Sequence, residues 1–244
     1  MTTLPIAVLV TGDPVPEARE RRGSFVDLIR RAAPAFGTRR WVAHDVREID
    51  VIPELTGALA VIVTGSALSV TEALPWKESV SARLRELVRA ELPLLGICFG
   101  HQLLGHALGG RVSLNPNGRE MGTVPLSIVE ADEVLGAPGV IPVNSTHLDS
   151  VVELPPGARV LAHTPQEPFA ALRFGPSAWG VQFHPELDAE VMRHYLRARR
   201  SALLAEGVDV AARDAAAVDA PEAALVIDRF LRFAEGRREA RARR

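Results

Sequence analysis

The chain has 244 residues, 47% of them hydrophobic and 24% charged, with a formal net charge of −2. That length and composition suit a globular α/β protein with a sizeable core. The near-neutral charge excludes a global field that would draw in nucleic acid or an anionic membrane, and the single cysteine excludes an intrachain disulfide and fits a reducing compartment.

The opening residues, MTTLPIAVLVTGD, carry no positive n-region. Their apolar run is too short to cross a bilayer, so a cytoplasmic location is expected. Residues 4–10 predict a buried strand that runs into a loop at Thr11-Gly12-Asp13. Residues 17–32 place Phe25, Leu28 and Ile29 on one helical face, and Pro34 stops that helix. Strands are expected at 39–42 and 59–63, the second followed by a turn at Thr64-Gly65-Ser66. Residues 77–91 predict an amphipathic helix with Val80, Leu84, Leu87 and Val88 facing inward. The apolar run 92–97 predicts another strand, and a small-residue helix follows it to Leu108, ending at Gly109-Gly110.

Strands and helices alternating through short joints predict a parallel sheet covered on both faces, a three-layer doubly wound α/β fold. From residue 111 the rhythm changes. Extended runs at 123–129, 150–153, 160–163, 170–174 and 179–183 predict antiparallel hairpins attached to that sheet. Helical patterns return at 188–205 and at 221–235, the latter with Leu225, Phe230 and Leu231. The segment 206–220 is the candidate joint. It divides a domain over residues 1–205 from a C-terminal helical extension over 206–244, whose arginine-rich tail reads as a solvated end.

The central motif is Gly96-Ile97-Cys98-Phe99-Gly100. A nucleophile at the tip of a strand-to-helix turn needs small residues two before and two after it, because backbone crowds there. The helix that begins after Cys98 directs unpaired N–H groups and a partial positive charge at the sulfur, which favours the thiolate. The Phe99 N–H is placed as half of an oxyanion hole. A lone cysteine is otherwise a small buried hydrophobe, so a general base is required to separate the two readings.

Phe183-His184-Pro185-Glu186 supplies that base. In an extended chain residues two apart face the same side, and Pro185 stiffens the segment. Glu186 then reaches one imidazole nitrogen while the other faces Cys98, which completes a Cys-His-Glu triad. His44, His101, His106, His147, His163 and His194 compete as bases. His101 and His106 fall on the helix behind the cysteine, where structural roles are expected.

Gly96-Ile97-Cys98-Phe99-Gly100-His101-Gln102 with the later His184-Pro185-Glu186 resembles the class I glutamine amidotransferase family, in its GMP-synthase-like branch, over roughly residues 4–200. The resemblance implies that family's flavodoxin-like fold, mostly parallel with an antiparallel excursion in the second half. Residues 64–70 look like the family's oxyanion loop, which implies a backbone N–H at Gly65 or Ser66 as the second donor beside Phe99. Gln102 matches a side chain that contacts bound glutamine. Thr146-His147-Leu148-Asp149 resembles the family's Ser-His-Gly-Asp segment, whose backbone holds the substrate's α-amino and α-carboxylate groups. Glu120-Met121-Gly122 resembles the signature that opens the antiparallel excursion. Leu148 stands where the family has glycine, and Ser66 stands at the second glycine of the oxyanion loop; both bear on how a γ-glutamyl group sits.

The resemblance implies hydrolysis of the γ-amide of glutamine, or of a γ-glutamyl compound, through a Cys98 thioester. The ammonia would pass to a separate synthetase subunit in trans, since the chain has no Walker-type nucleotide motif. A stand-alone γ-glutamyl peptidase or hydrolase is the alternative, and a weakly active partner-binding homologue is the alternative of another class. No cofactor and no metal are expected, and no nucleic-acid or membrane partner.

Overall fold

Helices and strands in chain order set out the layers of the computed structural model, which describes residues 4–49 and 51–242. The first half contributes β1 (Ile6–Val10), α1 (Pro16–Arg22), α2 (Phe25–Ala32), β2 (Trp41–Asp45), β3 (Ala60–Val63), α3 (Lys77–Arg89), β4 (Leu94–Ile97) and α4 (Phe99–Ala107). Seven strands follow: β5 (Arg111–Leu114), β6 (Glu120–Ile128), β7 (Gly139–His147), β8 (Asp149–Glu153), β9 (Arg159–His163), β10 (Ala171–Gly175) and β11 (Ala178–Val181). The chain closes with α5 (Ala189–Ala198), α6 (Arg200–Ala205), α7 (Val210–Ala215) and α8 (Pro221–Ala242).

The helix expected over 17–32 is two helices. Gly23 adopts φ 83°, which ends α1 as only glycine does without strain. Ser24 then caps α2 in a reciprocal box: its N–H donates to Asp27 Oδ2 at 2.8 Å, and its Oγ accepts from the Asp27 N–H at 3.3 Å. The helix expected over 188–205 is likewise divided into α5 and α6 at Arg199. β5, β7 and α7 were not anticipated.

Nine strands form one sheet in the order β2-β1-β3-β4-β11-β10-β9-β6-β7. β2, β1, β3, β4 and β11 are parallel, and the pairings from β11 to β7 are antiparallel. β1, β3 and β4 are buried along their whole length, as strands covered on both faces must be. β11, placed in sequence among the antiparallel hairpins, pairs in parallel with β4, with Gly180 opposite Gly96 and Val181 opposite Ile97. Its hairpin with β10 sets its direction, and no local periodicity encodes the second neighbour. The consequence is functional: the residues that follow β4 and β11 leave the sheet at the same end of the strands, side by side. β5 and β8 form a separate two-stranded ribbon.

The two faces of the sheet are covered by different helices. On one, Val80, Leu84 and Leu87 of α3 share a core with Leu103 and Leu104 of α4. On the other, Ile6, Ile62 and Leu95 share a core with Trp179 of β11 and with Val226, Ile227, Phe230 and Leu231 of α8. Phe230 and Phe233 meet the Trp179 ring edge-on, at centroid distances of 6.3 and 4.7 Å. The helix in 206–244 is thus part of a sheet-covering layer. Leu225 is 44% exposed because its spacing from Phe230 puts it off the buried stripe. α7 is capped by Asp209, whose carboxylate accepts from the Ala212 N–H at 2.9 Å, and its Val210 packs with α5. Residues 243 and 244 of the arginine-rich tail lie outside the described residues.

Candidate functional site

Cys98 stands between β4 and α4 with φ 51° and ψ −103°, a conformation that costs a residue with a Cβ of order 1–3 kcal/mol. Its position is fixed from both sides. Its N–H donates to Val181 O at 2.8 Å, and the Gly100 N–H donates to Thr64 O at 3.1 Å. The flanking glycines are required by backbone, not by flexible side chains. A Cβ on Gly96 would strike the Gly100 backbone and lie 2.7 Å from His101 N. A Cβ on Gly100 would strike the backbone of Val63, 2.9 Å from its carbonyl carbon.

The Thr64–Ser66 loop is pinned beside the cysteine by a residue that the sequence did not single out. Thr11, fully buried at the end of β1, donates from its hydroxyl to Thr64 O at 2.9 Å, and its N–H donates to Thr64 Oγ1 at 3.0 Å. Gly12 lies so close to the loop that a Cβ there would sit 2.7 Å from Ser66 Cα. Gly65 in turn faces the sulfur and the imidazole: a Cβ on it would lie 2.8 Å from His184 Cε1 and 3.7 Å from Cys98 Cβ.

His184 is held by its N–H, which donates to Asn144 O of β7 at 2.8 Å. Its Nδ1 pairs with Glu186 Oε1 at 2.8 Å, with the side chains 3% and 0% exposed. The segment after His184 turns, with the Leu187 N–H donating back to His184 O at 3.3 Å. Glu186 therefore reaches the imidazole across a turn around Pro185 and not along the extended chain that its spacing suggested. Burial alone would lower the pKa of His184. The charges of the Glu186 carboxylate and the Cys98 sulfur, with hydrogen bonds to both, outweigh it and push the pKa up to about 10. Phe25 stacks on the imidazole, with ring centroids 6.2 Å apart and an interplanar angle of 14°.

Cys98 and His184 open into a cavity of about 720 Å³. Of the seven histidines, only His147 and His184 line it. His101 is fully buried behind Cys98, and burial holds its pKa down at about 3, so it is neutral. His194 pairs with Glu17 at 3.0 Å. The 146–149 segment forms the opposite wall. The Cys98 thiol points at Thr146 O, 3.7 Å from the sulfur. Gln102 Nε2 donates to Asp149 O at 2.7 Å and to Gln182 Oε1 at 3.0 Å, so its two amide protons are used within the protein. Ser69 donates to the Asp149 carboxylate and ties the loop after β3 to this wall.

His147 is engaged underneath the wall: its Nε2 is 3.3 Å from Glu120 Oε2 and its Nδ1 is 3.0 Å from Asp149 O. Glu120 also accepts from Thr164, and Glu167 from Ser150, so a buried polar network supports the segment. Burial raises the pKa of Glu167; at Glu120 burial is outweighed by the His147 and Thr164 hydrogen bonds, and the carboxylate is held low. Leu148 is 39% exposed at the cavity mouth. Ser66 lines the cavity, while Gly65, Phe99 and Glu186 lie behind its wall. Among the described residues no group of three or more His, Cys, Asp or Glu side chains is placed to hold a metal ion, and no helix is long and apolar enough to cross a membrane.

Comparisons with known proteins identify the family and the fold. A family model described as glutamine amidotransferase class-I matches residues 22–201. A glutamine-hydrolyzing GMP synthase from Porphyromonas gingivalis is 36% identical over 163 residues, covering 62% of this chain and 31% of that protein. A glutamine-hydrolyzing GMP synthase subunit from Saccharolobus solfataricus is 38% identical over 164 residues, covering 61% of this chain and 84% of that protein. The chain thus spans about a third of the Porphyromonas protein. Among solved structures, a glutamine amidotransferase from Thermotoga maritima superposes with a TM-score of 0.74 at 22% identity, covering 96% of this chain and 99% of that one. A glutamine amidotransferase from Methylobacillus flagellatus gives a TM-score of 0.65 at 22% identity, covering 96% and 92%. At these identities the structures establish the fold.

Proposed function

Because the chain belongs to the class I glutamine amidotransferase family, we propose that it hydrolyses the γ-amide of glutamine, or of a γ-glutamyl compound, through a Cys98 thioester, and passes the ammonia to a separate synthetase subunit. The observation that carries this reading is the His184–Glu186 pair at 2.8 Å, held beside a cysteine in a strained turn at the floor of one cavity. The Cys98 sulfur, its proton taken up by His184, attacks the side-chain carbonyl, and the backbone N–H groups of Phe99 and of Gly65 or Ser66 hold the oxyanion. His184 gives its proton to the departing nitrogen, and Glu186 stabilises the imidazolium and fixes the ring. Water, activated by His184, then releases glutamate and restores the thiol. Thr146, His147, Leu148 and Asp149, with Gln102, form the wall along which the glutamyl part extends.

The test is incubation of the protein with glutamine, with glutamate quantified and Cys98 examined by intact mass for a γ-glutamyl adduct. Glutamate formed only when a synthetase is added supports delivery in trans. Turnover of γ-glutamyl peptides by the isolated chain supports the stand-alone hydrolase, a reading favoured by the size of the cavity. Neither glutamate nor adduct under any of these conditions would leave only the partner-binding homologue.

Gly65→Ala probes the same geometry. The new methyl group would lie 2.8 Å from His184 Cε1, so the ring must shift. Gly65 has no positive φ, so the backbone tolerates alanine. A loss of about 100-fold in kcat/KM with little change in melting temperature is expected, since ångström-scale misplacement costs that much. An unchanged kcat/KM would show that the imidazole is not held where the reaction needs it.

A further inference from the structure

Two stretches of the cavity's lining meet the reacting pair. Thr146 O of the 146–149 wall lies 3.7 Å from the sulfur. On the His184 side the lining continues through Val15, Phe25 and Tyr195 to Arg199. With His184 as the group that protonates the departing nitrogen, what that nitrogen carries is set beside the imidazole, where Phe25 and Tyr195 stand. Ammonia needs no such wall. Cavities of about 300–1,000 Å³ take ligands well above the size of free glutamine, and this one measures about 720 Å³.

The chemistry of the stretch is ordered. Near the imidazole it is apolar and aromatic: Phe25 stacks on His184, and the Tyr195 ring is 6.4 Å from it. Farther out it becomes cationic. Tyr195 and Arg199 stand one turn apart along the end of α5, on the same face, and the Arg199 charge acts on the Tyr195 phenol. Asp13, Glu17 and Arg119 are already paired. Asp13 binds Arg19 at 3.1 Å and Arg47 at 2.9 Å. Glu17 binds His194 at 3.0 Å and Arg197 at 3.3 Å, and Arg119 binds Glu206 at 2.9 Å. Among the described residues the Arg199 side chain has no hydrogen-bond or carboxylate partner, although it lines the cavity.

We propose that Arg199 is a specificity residue that receives the carboxylate of an amino-acid leaving group, so that the site takes γ-glutamyl amino acids with apolar side chains as well as glutamine. The inference rests on the Cys98 reading above. In the step, the Cys98 sulfur forms a bond to the side-chain carbonyl carbon of the γ-glutamyl group and the bond from that carbon to the amino acid's α-nitrogen breaks. His184 protonates that nitrogen, and the free amino acid leaves past Tyr195 and Arg199. Water then cleaves the thioester, giving glutamate and the thiol. No oxidant, reductant or further reactant is needed.

The test compares γ-glutamyl-leucine, γ-glutamyl-leucinamide and glutamine on the wild-type protein and on Arg199→Ala. The wild type is expected to prefer the free carboxylate over the leucinamide by about fivefold in kcat/KM, the scale of one exposed ion pair. Arg199→Ala should erase that preference and leave glutamine hydrolysis unchanged. Equal rates on the two leucine amides in the wild type, or a preference that survives Arg199→Ala, would overturn the assignment. Glutamine turned over while neither leucine compound reacts would overturn it and leave the glutaminase reading intact. No turnover of any of the three would remove both.

Discussion

Cys98→Gly is expected to be more stable than Cys98→Ala by about 1 kcal/mol, while both lose turnover by about 10⁴-fold or more. The ordering is unusual. At a position only 5% exposed alanine normally packs better, and glycine loses more conformational entropy on folding, by about 0.5–1 kcal/mol. Here the native backbone, at φ 51° and ψ −103°, is one that a Cβ disfavours by about 1–3 kcal/mol, and glycine alone is released from that cost. The strain is sustained by the Cys98 N–H bond to Val181 and the Gly100 N–H bond to Thr64, which anchor the turn to β11 and to the loop after β3. Denaturant melts of the two variants measure the difference, and hydrolysis of glutamine measures the loss. Alanine equal to or more stable than glycine would mean that the turn stores no strain. Residual turnover in both would place the nucleophile elsewhere.

Glu186→Gln should lower kcat/KM by about 10²–10⁴-fold with little change in structure, as losing the carboxylate of a triad does. It should also change the shape of the pH profile. In the wild type the imidazolium persists to about pH 10, so the alkaline limb of kcat/KM belongs there: above it His184 has no proton to give. Burial lowers this pKa, and the Glu186 charge is the first of the effects opposing it. Removing the charge leaves burial in place, the pKa falls, and the alkaline limb moves to lower pH. Stability follows the same sign. A pKa raised in the folded state adds stability that is fully present below the unfolded value of about 6.5. It is lost as pH rises through about 10. The variant should lose this contribution earlier in an alkaline titration. A limb that stays in place in Glu186→Gln would detach it from His184.

The turn at Cys98 and the closeness of Glu186 to His184 were legible from local patterns, although Glu186 reaches the ring across a turn and not along an extended chain. Gly96 and Gly100 mark a backbone crossing too close for a Cβ, and His184 follows a fully buried strand. What brings the two segments together was not legible. It is the parallel pairing of β4 with β11, a contact across a long span of sequence that no periodicity records. Thr11 escaped notice because a threonine at a strand end reads as a turn residue, while its role depends on Thr64 arriving beside it. β7 escaped because Pro142 and Asn144 break the apolar alternation; it is the last strand of the sheet, where proline is tolerated. Arg199 carries no local signal in the sequence, and the cavity that it lines with Tyr195 sets it apart.

The helix that lies on Trp179 has a consequence for how the chain is made. β4 is complete at Ile97 and β11 at Val181, yet the residues of α8 that cover Trp179 come at Phe230 and Phe233. At synthesis rates of about 5–20 residues per second, the apolar face near Leu95 waits on the order of 10 s for its cover. During that interval the nascent chain presents open strands and bare aliphatic surface to the crowded space outside the ribosome. Slower translation is therefore expected to lengthen that exposure and lower the yield of native protein, which expression from synonymous genes of different codon speed would measure.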